Sequence, residues 1–66
     1  MSKCKRLANV RLPYLGIVGC IKFSPFSQQY FFEHKNDCSP RCVANSYERC
    51  ELLVHLLCDR YEIELL

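Results

Sequence analysis

Hydrophobic residues in the last third of the chain recur at helical spacing. Ser39-Pro40 is typical of a helix start, with a hydroxyl N-cap and then a proline at the first helical position. The pattern therefore predicts one long helix over 39–64, although the poor helix propensity of Asn45-Ser46 offers an alternative start at Tyr47. Residues three or four apart share one side of a helix. The hydrophobic residues with this spacing are Val43, Tyr47, Cys50, Val54, Leu57 and Tyr61.

The same helix carries apolar residues on a second side. Leu52, Leu56 and Ile63 lie roughly opposite the first set, and Leu53 lies between the two. A helix that is apolar on two sides needs two partners, and a chain of 66 residues supplies few. We expect these four residues to contact a second copy of the chain or a protein target.

Three shorter segments before residue 35 have the patterns of β-strands. Residues 6–12 alternate between apolar and polar, residues 16–23 are rich in β-branched residues, and residues 28–34 are dense in aromatics. Gly19, inside the second segment, marks a bulge or a close backbone approach. The predicted fold class is α+β. A basic tail (1–5) precedes a small antiparallel meander of three short strands (6–35), and the C-terminal helix (39–64) packs on one face of it, in one domain over 1–66.

Size and composition bound the kind of protein this is. A chain of 66 residues is close to the lower limit for a hydrophobic core alone, so disulfides, a metal or a subunit interface are common additions. The polar, basic N-terminus lacks the pattern of a signal peptide, which predicts a cytoplasmic protein of the source or host cell with reduced thiols. A mature secreted peptide would look the same. No apolar run reaches the 18 or so residues of a membrane span, so no membrane partner is expected.

The six cysteines allow three interpretations. His34, Cys38, Cys42 and Cys50 form a possible zinc ligand set, with the histidine at a strand end, Cys38 in a loop and Cys42 in the first helical turn. The spacing lacks the paired C-x2-C knuckles of common zinc sites. The alternatives are small core residues with free thiols, and disulfides.

A nucleic-acid site is the second functional hypothesis. The basic residues are concentrated in the first half of the chain and the acidic residues in the second. Cations near aromatic side chains of a strand are typical of sheets that bind nucleic acids. The candidates here are Lys3, Lys5, Arg6 and Arg11 with Tyr30 and Phe32.

No catalytic motif is present, so an enzyme is not expected. The size and the surplus of apolar surface are typical of a small regulator or inhibitor, such as those of phages and other mobile elements. The first hypothesis is a non-catalytic protein-binding module that forms a homodimer or docks on a target through its C-terminal helix, with no cofactor or with zinc.

Overall fold

Residues 4–66 form a five-stranded antiparallel sheet that one helix crosses on one face. The computed structural model describes residues 4–66, and for Cys38 the backbone alone. In chain order the elements are β1 (Lys5–Leu12), β2 (Gly16–Ser24), β3 (Gln29–His34), β4 (Asp37–Ala44), α1 (Tyr47–Leu57) and β5 (Glu62–Leu65).

The strand order across the sheet is β4-β3-β2-β1-β5. Four strands follow one another as a meander, and α1 then carries the chain across one face to the far edge, where β5 pairs with β1. The prediction of three strands and a long C-terminal helix is therefore wrong, because the sheet has two further strands and the helix is short. The three strands predicted at 6–12, 16–23 and 28–34 correspond to β1, β2 and β3.

The segment predicted as the first turns of a helix is the edge strand β4. The Asp37 carboxylate accepts hydrogen bonds from the Ser39 backbone N–H at 2.9 Å and from the Arg41 guanidinium at 2.5 Å. Both hydrogen bonds hold the pKa of Asp37 below its ordinary value, and the bond from the Ser39 backbone N–H has the larger effect. Ser39 is thus not an N-cap, and Pro40 occupies a strand at the sheet edge, where the missing N–H costs no ladder bond. Pairing with β3 in a hairpin prevails over the N-cap signal of Ser39-Pro40.

The pairing of β4 with β3 is irregular. Tyr30 is opposite Ala44 and Phe32 is opposite Arg41, so β4 carries an extra residue between these two pairs. Cys42, inside that irregularity, has a φ of 55°, the left-handed region in which a residue of a β-bulge often lies. The prediction that Cys42 belongs to a first helical turn is wrong.

The helix begins at Tyr47, the alternative start that Asn45-Ser46 predicts. Ser46 is the N-cap, and its Oγ accepts the Arg49 backbone N–H at 3.2 Å. The helix ends at Leu57, because Cys58 is extended while its N–H still bonds the Val54 carbonyl. With 11 residues, α1 is too short to span a bilayer, and the rest of residues 4–66 contains no other helix that could.

The core lies between α1 and the sheet face that it covers. The ring centroid of Phe32, fully buried in β3, is 5.6 Å from that of Tyr61, in the connection from α1 to β5. Gly19 allows β2 and β3 to approach closely, since a Cβ at this position would lie 2.4 Å from the Glu33 carbonyl oxygen. The close approach predicted there is confirmed. The buried cluster consists of Ala8, Val10, Val18, Ile21, Phe32, Ala44, Cys50 and Val54.

The opposite side of the sheet, which we name the open face, carries the residues that alternate with the core positions. Directly paired residues of neighbouring strands share a face. One row across β1, β2 and β3 is therefore Arg6, Lys22 and Phe31, and the next is Asn9, Cys20 and Glu33.

Candidate protein-binding surface

The outward side of α1 combines apolar and charged residues within one short helix. Residues three or four apart on a helix are neighbours on its surface. By this spacing Leu52 is flanked by Glu48 and Arg49 on its N-terminal side, and by His55 and Leu56 on its C-terminal side. We name these five residues the outer face of α1.

The two leucines of the outer face are largely accessible to solvent. Leu52 is 54% exposed and Leu56 is 73% exposed, one helical turn apart. An isolated exposed leucine is ordinary on a protein surface, whereas neighbouring ones on a regular element form a strip that a partner can cover. Glu48, Arg49 and His55 are exposed around the strip, so a partner that covers it also meets these side chains.

Packing on the inner side fixes the position of the helix. Cys50 and Val54 are fully buried against the sheet, and the ring of Tyr47 meets that of Tyr30 edge-on at a centroid distance of 6.2 Å. Burial raises the pKa of Tyr47 to about 12, and the nearby carboxylate of Glu51 adds to the effect. The outer face therefore sits on a helix anchored along its length, which lowers the entropy cost of binding.

Other exposed apolar side chains lie outside this strip: Leu57 ends α1, Ile17, Val43 and Leu65 lie singly on three different strands, Leu66 follows β5, and the rest lie in turns. Tyr14 (94% exposed) and Leu15 lie in the turn between β1 and β2, beside Arg60. Phe26 lies in the turn between β2 and β3, at the other end of β2. Neither turn provides apolar residues along a regular element, as α1 does.

The structure separates the four residues predicted to bind a partner. Leu52 and Leu56 lie together on the outer face of α1, as expected. Leu53 and Ile63 instead pack against the core, and Ile63 belongs to β5 rather than to the helix. Sequence analysis did not include Arg49, although the helix predicted over 39–64 already placed it one turn before Leu52.

The proposed zinc ligands lie on three different elements. His34 is at the end of β3, where its Nδ1 accepts the Asn36 backbone N–H at 3.1 Å, while Cys42 is in β4 and Cys50 is in α1. Burial raises the pKa of both thiols, that of Cys50 to about 11. The side chain of Cys38 lies outside the described residues. Among the residues described there is no group of three or more metal-ligating side chains, and zinc binding stays a prediction.

The residues proposed to bind nucleic acid are divided between the two sides of the sheet. Phe32 is fully buried and Tyr30 packs against the core, so neither forms an exposed stacking platform. Lys5 and Arg6 are exposed in β1, and Lys3 lies outside the described residues. The aromatic residue on the open face is Phe31, which alternation along β3 places opposite to Tyr30 and Phe32.

Ion pairs neutralise part of the basic charge on the open face. Lys22 Nζ lies 2.7 Å from Glu33 Oε1, and this hydrogen bond raises the pKa of Lys22. Arg11 lies 3.5 Å from Glu64 of β5. Cations that are already paired with carboxylates release fewer counterions on binding phosphate, and they contribute less to affinity for nucleic acid.

No protein-family model, no curated protein and no solved structure matches this chain.

Proposed function

We propose that the protein is a small non-catalytic protein-binding module, a regulator or inhibitor, that binds its partner through the outer face of α1. The observation that supports this proposal is the exposure of Leu52 and Leu56 on a helix whose inner side is fully packed. Binding through an exposed helix face is a common mode of recognition between proteins.

The two leucines and the charges beside them indicate which kind of surface would bind the outer face of α1. The apolar strip is one helical turn long and is bounded by charges of both signs, with Glu48 and Arg49 at one end. A second helix with two apolar residues one turn apart covers such a strip at the usual interaxial distance of about 8–10 Å. Its flanking residues would carry a cation to face Glu48 and an anion to face Arg49.

The size of the strip sets the strength of binding. Two leucines on each side contribute at most about 1.5–3 kcal/mol each when they are buried completely. Association costs about 4–15 kcal/mol in lost freedom of movement. The difference between the free energy gained by burial and the cost of association corresponds to a Kd in the micromolar range or weaker. Such affinities are typical of transient complexes.

Site-specific photo-crosslinking in the producing cells tests the proposal. A photoreactive phenylalanine analogue replaces Leu56 in one variant and Phe26 in a matched control, since both residues are exposed but they lie on different elements. We expect a protein adduct at position 56 that disappears when Leu52→Glu is added, and no such dependence at position 26.

Two results would overturn the proposal. One is an adduct at position 56 that persists unchanged in the Leu52→Glu background. The other is a crosslink to nucleic acid in place of protein, which would favour the alternative hypothesis of a nucleic-acid-binding protein.

A further inference from the structure

A cavity of about 180 Å³ lies on the open face, on the side of the sheet that α1 does not cover. Its lining includes the row of Asn9, Cys20 and Glu33, which are paired directly across β1, β2 and β3. Arg6 and Lys35 line it as well. We infer that this cavity binds a free amino acid with a side-chain carboxylate, such as glutamate. The inference is independent of the proposed function, which uses the outer face of α1.

The two cations of the cavity approach it from opposite ends. Arg6 is paired with Lys22, while the backbone N–H of Lys35 donates to the Val18 carbonyl oxygen at 2.8 Å. Val18 and Lys22 are separated by about 13 Å along β2, and Cys20 lies midway between them. Arg6 and Lys35 are both exposed, and neither takes part in an ion pair within residues 4–66. A ligand with two separated carboxylates can bind both cations.

Glu33 places a negative charge between these two positive ones. Its Oε1 accepts the hydrogen bond from Lys22 Nζ at 2.7 Å. A carboxylate has two oxygens that each accept hydrogen bonds, so Oε2 can accept from a ligand ammonium. Asn9 provides a further acceptor, because its Oδ1 is buried and has no hydrogen-bond partner in the described part of the chain. The last torsion of an asparagine side chain has broad energy wells, and its rotation turns this oxygen towards a donor in the cavity.

An amino acid with a side-chain carboxylate matches these groups in charge and in number. Its two carboxylates pair with Arg6 and Lys35, and its ammonium pairs with Glu33 and donates to Asn9. Its methylene groups then lie over Cys20. The cavity has the volume of roughly six water molecules, and the bonded atoms of one molecule lie closer together than separate waters do. A ligand of up to about ten non-hydrogen atoms, which is the size of glutamate, therefore fits.

Simpler anions satisfy fewer of the groups in this cavity. A monocarboxylate leaves one of the two cations without a partner. A dicarboxylate such as glutarate places no donor beside the carboxylate of Glu33, and a nucleic acid likewise presents phosphates without an ammonium. Two cations with one anion between them therefore favour a zwitterion that carries an additional carboxylate.

NMR titration of the backbone amides at low ionic strength tests the inference. We expect L-glutamate to cause saturable shifts of the Gly19 and Cys20 amide signals, with a Kd in the millimolar range or below. Two comparison ligands each lack one group: glutarate has no ammonium, and glutamine has no side-chain carboxylate. We expect each to bind at least about threefold more weakly than glutamate.

Substitution of the two cations tests the carboxylate contacts. Arg6→Gln and Lys35→Gln each remove one partner, and we expect each to raise the Kd of glutamate about threefold to fivefold. Lys5→Gln is the matched control with the same loss of charge. Lys5 is exposed and precedes Arg6 in β1, but its pairing with Phe23 places it on the side of the sheet that faces α1. We expect this control to leave the Kd nearly unchanged, since charges outside the cavity are screened by solvent and salt.

Glu33→Gln tests the ammonium contact. The variant removes the partner of the ligand ammonium and frees Lys22 from its ion pair. We therefore expect glutamate to bind more weakly than it does to the wild type, and glutarate to bind more tightly, so that the order of the two ligands reverses. Glutarate that binds the wild type as tightly as glutamate does would show that the ammonium is not recognised, and would overturn the inference.

Three further results would also overturn it. The first is the absence of saturable shifts up to about 20 mM glutamate. The second is an equal loss of affinity in Lys5→Gln and Arg6→Gln, which would show attraction to the net charge alone. The third is a short single-stranded oligonucleotide that shifts the same amides and displaces glutamate, which would favour nucleic-acid binding. None of these results affects the crosslink from position 56, which tests the proposed function separately.

Discussion

Cys50 illustrates how one residue type fits several interpretations until its environment is known. In the sequence it is a helical neighbour of Val54 and also a possible zinc ligand. In the structure it is fully buried in the layer between α1 and the sheet, within the cluster that contains Val54 and Phe32. A buried thiol in apolar surroundings behaves as a small hydrophobic residue, and its environment opposes the thiolate form.

This environment predicts a loss of stability in alkaline solution. Burial raises the pKa of Cys50 from 9.0 to about 11, so the folded chain retains a proton that the unfolded chain loses. The stabilisation is complete below about pH 9 and is lost as the pH rises through about 11. Since one pKa unit corresponds to about 1.4 kcal/mol, we expect this thiol to lower the free energy of unfolding by about 2–3 kcal/mol over that interval.

Urea denaturation at a series of pH values measures the effect. Cys50→Ala is the control, because it removes the titrating group and leaves a small cavity. We expect the variant to be less stable at pH 7 but to have a flatter dependence on pH between 9 and 11. Identical slopes for the variant and the wild type would contradict the assignment to Cys50.

At the scale of the elements, the segment from residue 37 to residue 47 shows the limit of local patterns. Ser39-Pro40 and Ser46 are both plausible helix starts, and only the second one caps α1. The first pair lies in β4, where the Asp37 carboxylate holds the Ser39 N–H and β3 provides the backbone partners. Residues 37–44 become a strand because the chain folds back on β3 through the turn at Lys35 and Asn36, and this pairing prevails over the N-cap signal of Ser39-Pro40.

Ser39 and Ser46 provide a direct test of where α1 begins. Ser46→Ala removes the oxygen that accepts the Arg49 N–H, and we expect it to lower the free energy of unfolding by about 1 kcal/mol. Ser39→Ala leaves the hydrogen bond of its backbone N–H to Asp37 intact, so we expect a change within about 0.5 kcal/mol. Denaturant unfolding of both variants measures the difference, and a larger loss for Ser39→Ala would contradict the observed helix start.

The elements that sequence analysis found are those with a strong local signal. Alternation in 6–12 and the density of β-branched and aromatic residues up to residue 34 were sufficient for β1, β2 and β3. β5 was missed although Glu62, Ile63, Glu64 and Leu65 alternate, because the apolar periodicity of the preceding helix appears to continue through Tyr61. No glycine follows Leu57 to mark the end of α1, and the turn at Asp59 and Arg60 gave too weak a signal.

For the whole molecule, the strand order leaves β4 and β5 as the two edges of the sheet. Each has features that oppose pairing with other chains. Pro40 and the irregularity at Cys42 interrupt β4, and β5 has only four residues, with Glu62 and Glu64 among them. Edge-to-edge association is thus disfavoured, which leaves α1 as the regular element through which the proposed binding takes place.

The outer face of α1 was partly predictable from the sequence, because the helical pattern over these residues is strong. Sequence analysis identified Leu52 and Leu56 because a helix over these residues was correct, whatever its ends. It included Ile63 because the helix was extended to residue 64, and in the structure β5 places this side chain against the core beside β1. An error in the length of an element thus became an error in the composition of the surface.

Ile63 and Leu56 therefore belong to different parts of the protein, and truncation of each should affect a different property. Ile63→Ala removes apolar contacts with the core, and we expect it to lower the free energy of unfolding by about 2 kcal/mol without weakening the proposed binding through the outer face of α1. Leu56, at 73% exposure, contributes little to the fold. We expect Leu56→Ala to change stability by less than about 0.5 kcal/mol and to weaken the proposed binding through the outer face of α1, since it removes one of the two exposed leucines of that face. Urea denaturation measures the first property, and the yield of protein adduct from a photoreactive residue at position 49 of the outer face measures the second. If Ile63→Ala weakens association as much as Leu56→Ala does, the interface includes β5, and the assignment of binding to the outer face of α1 is wrong.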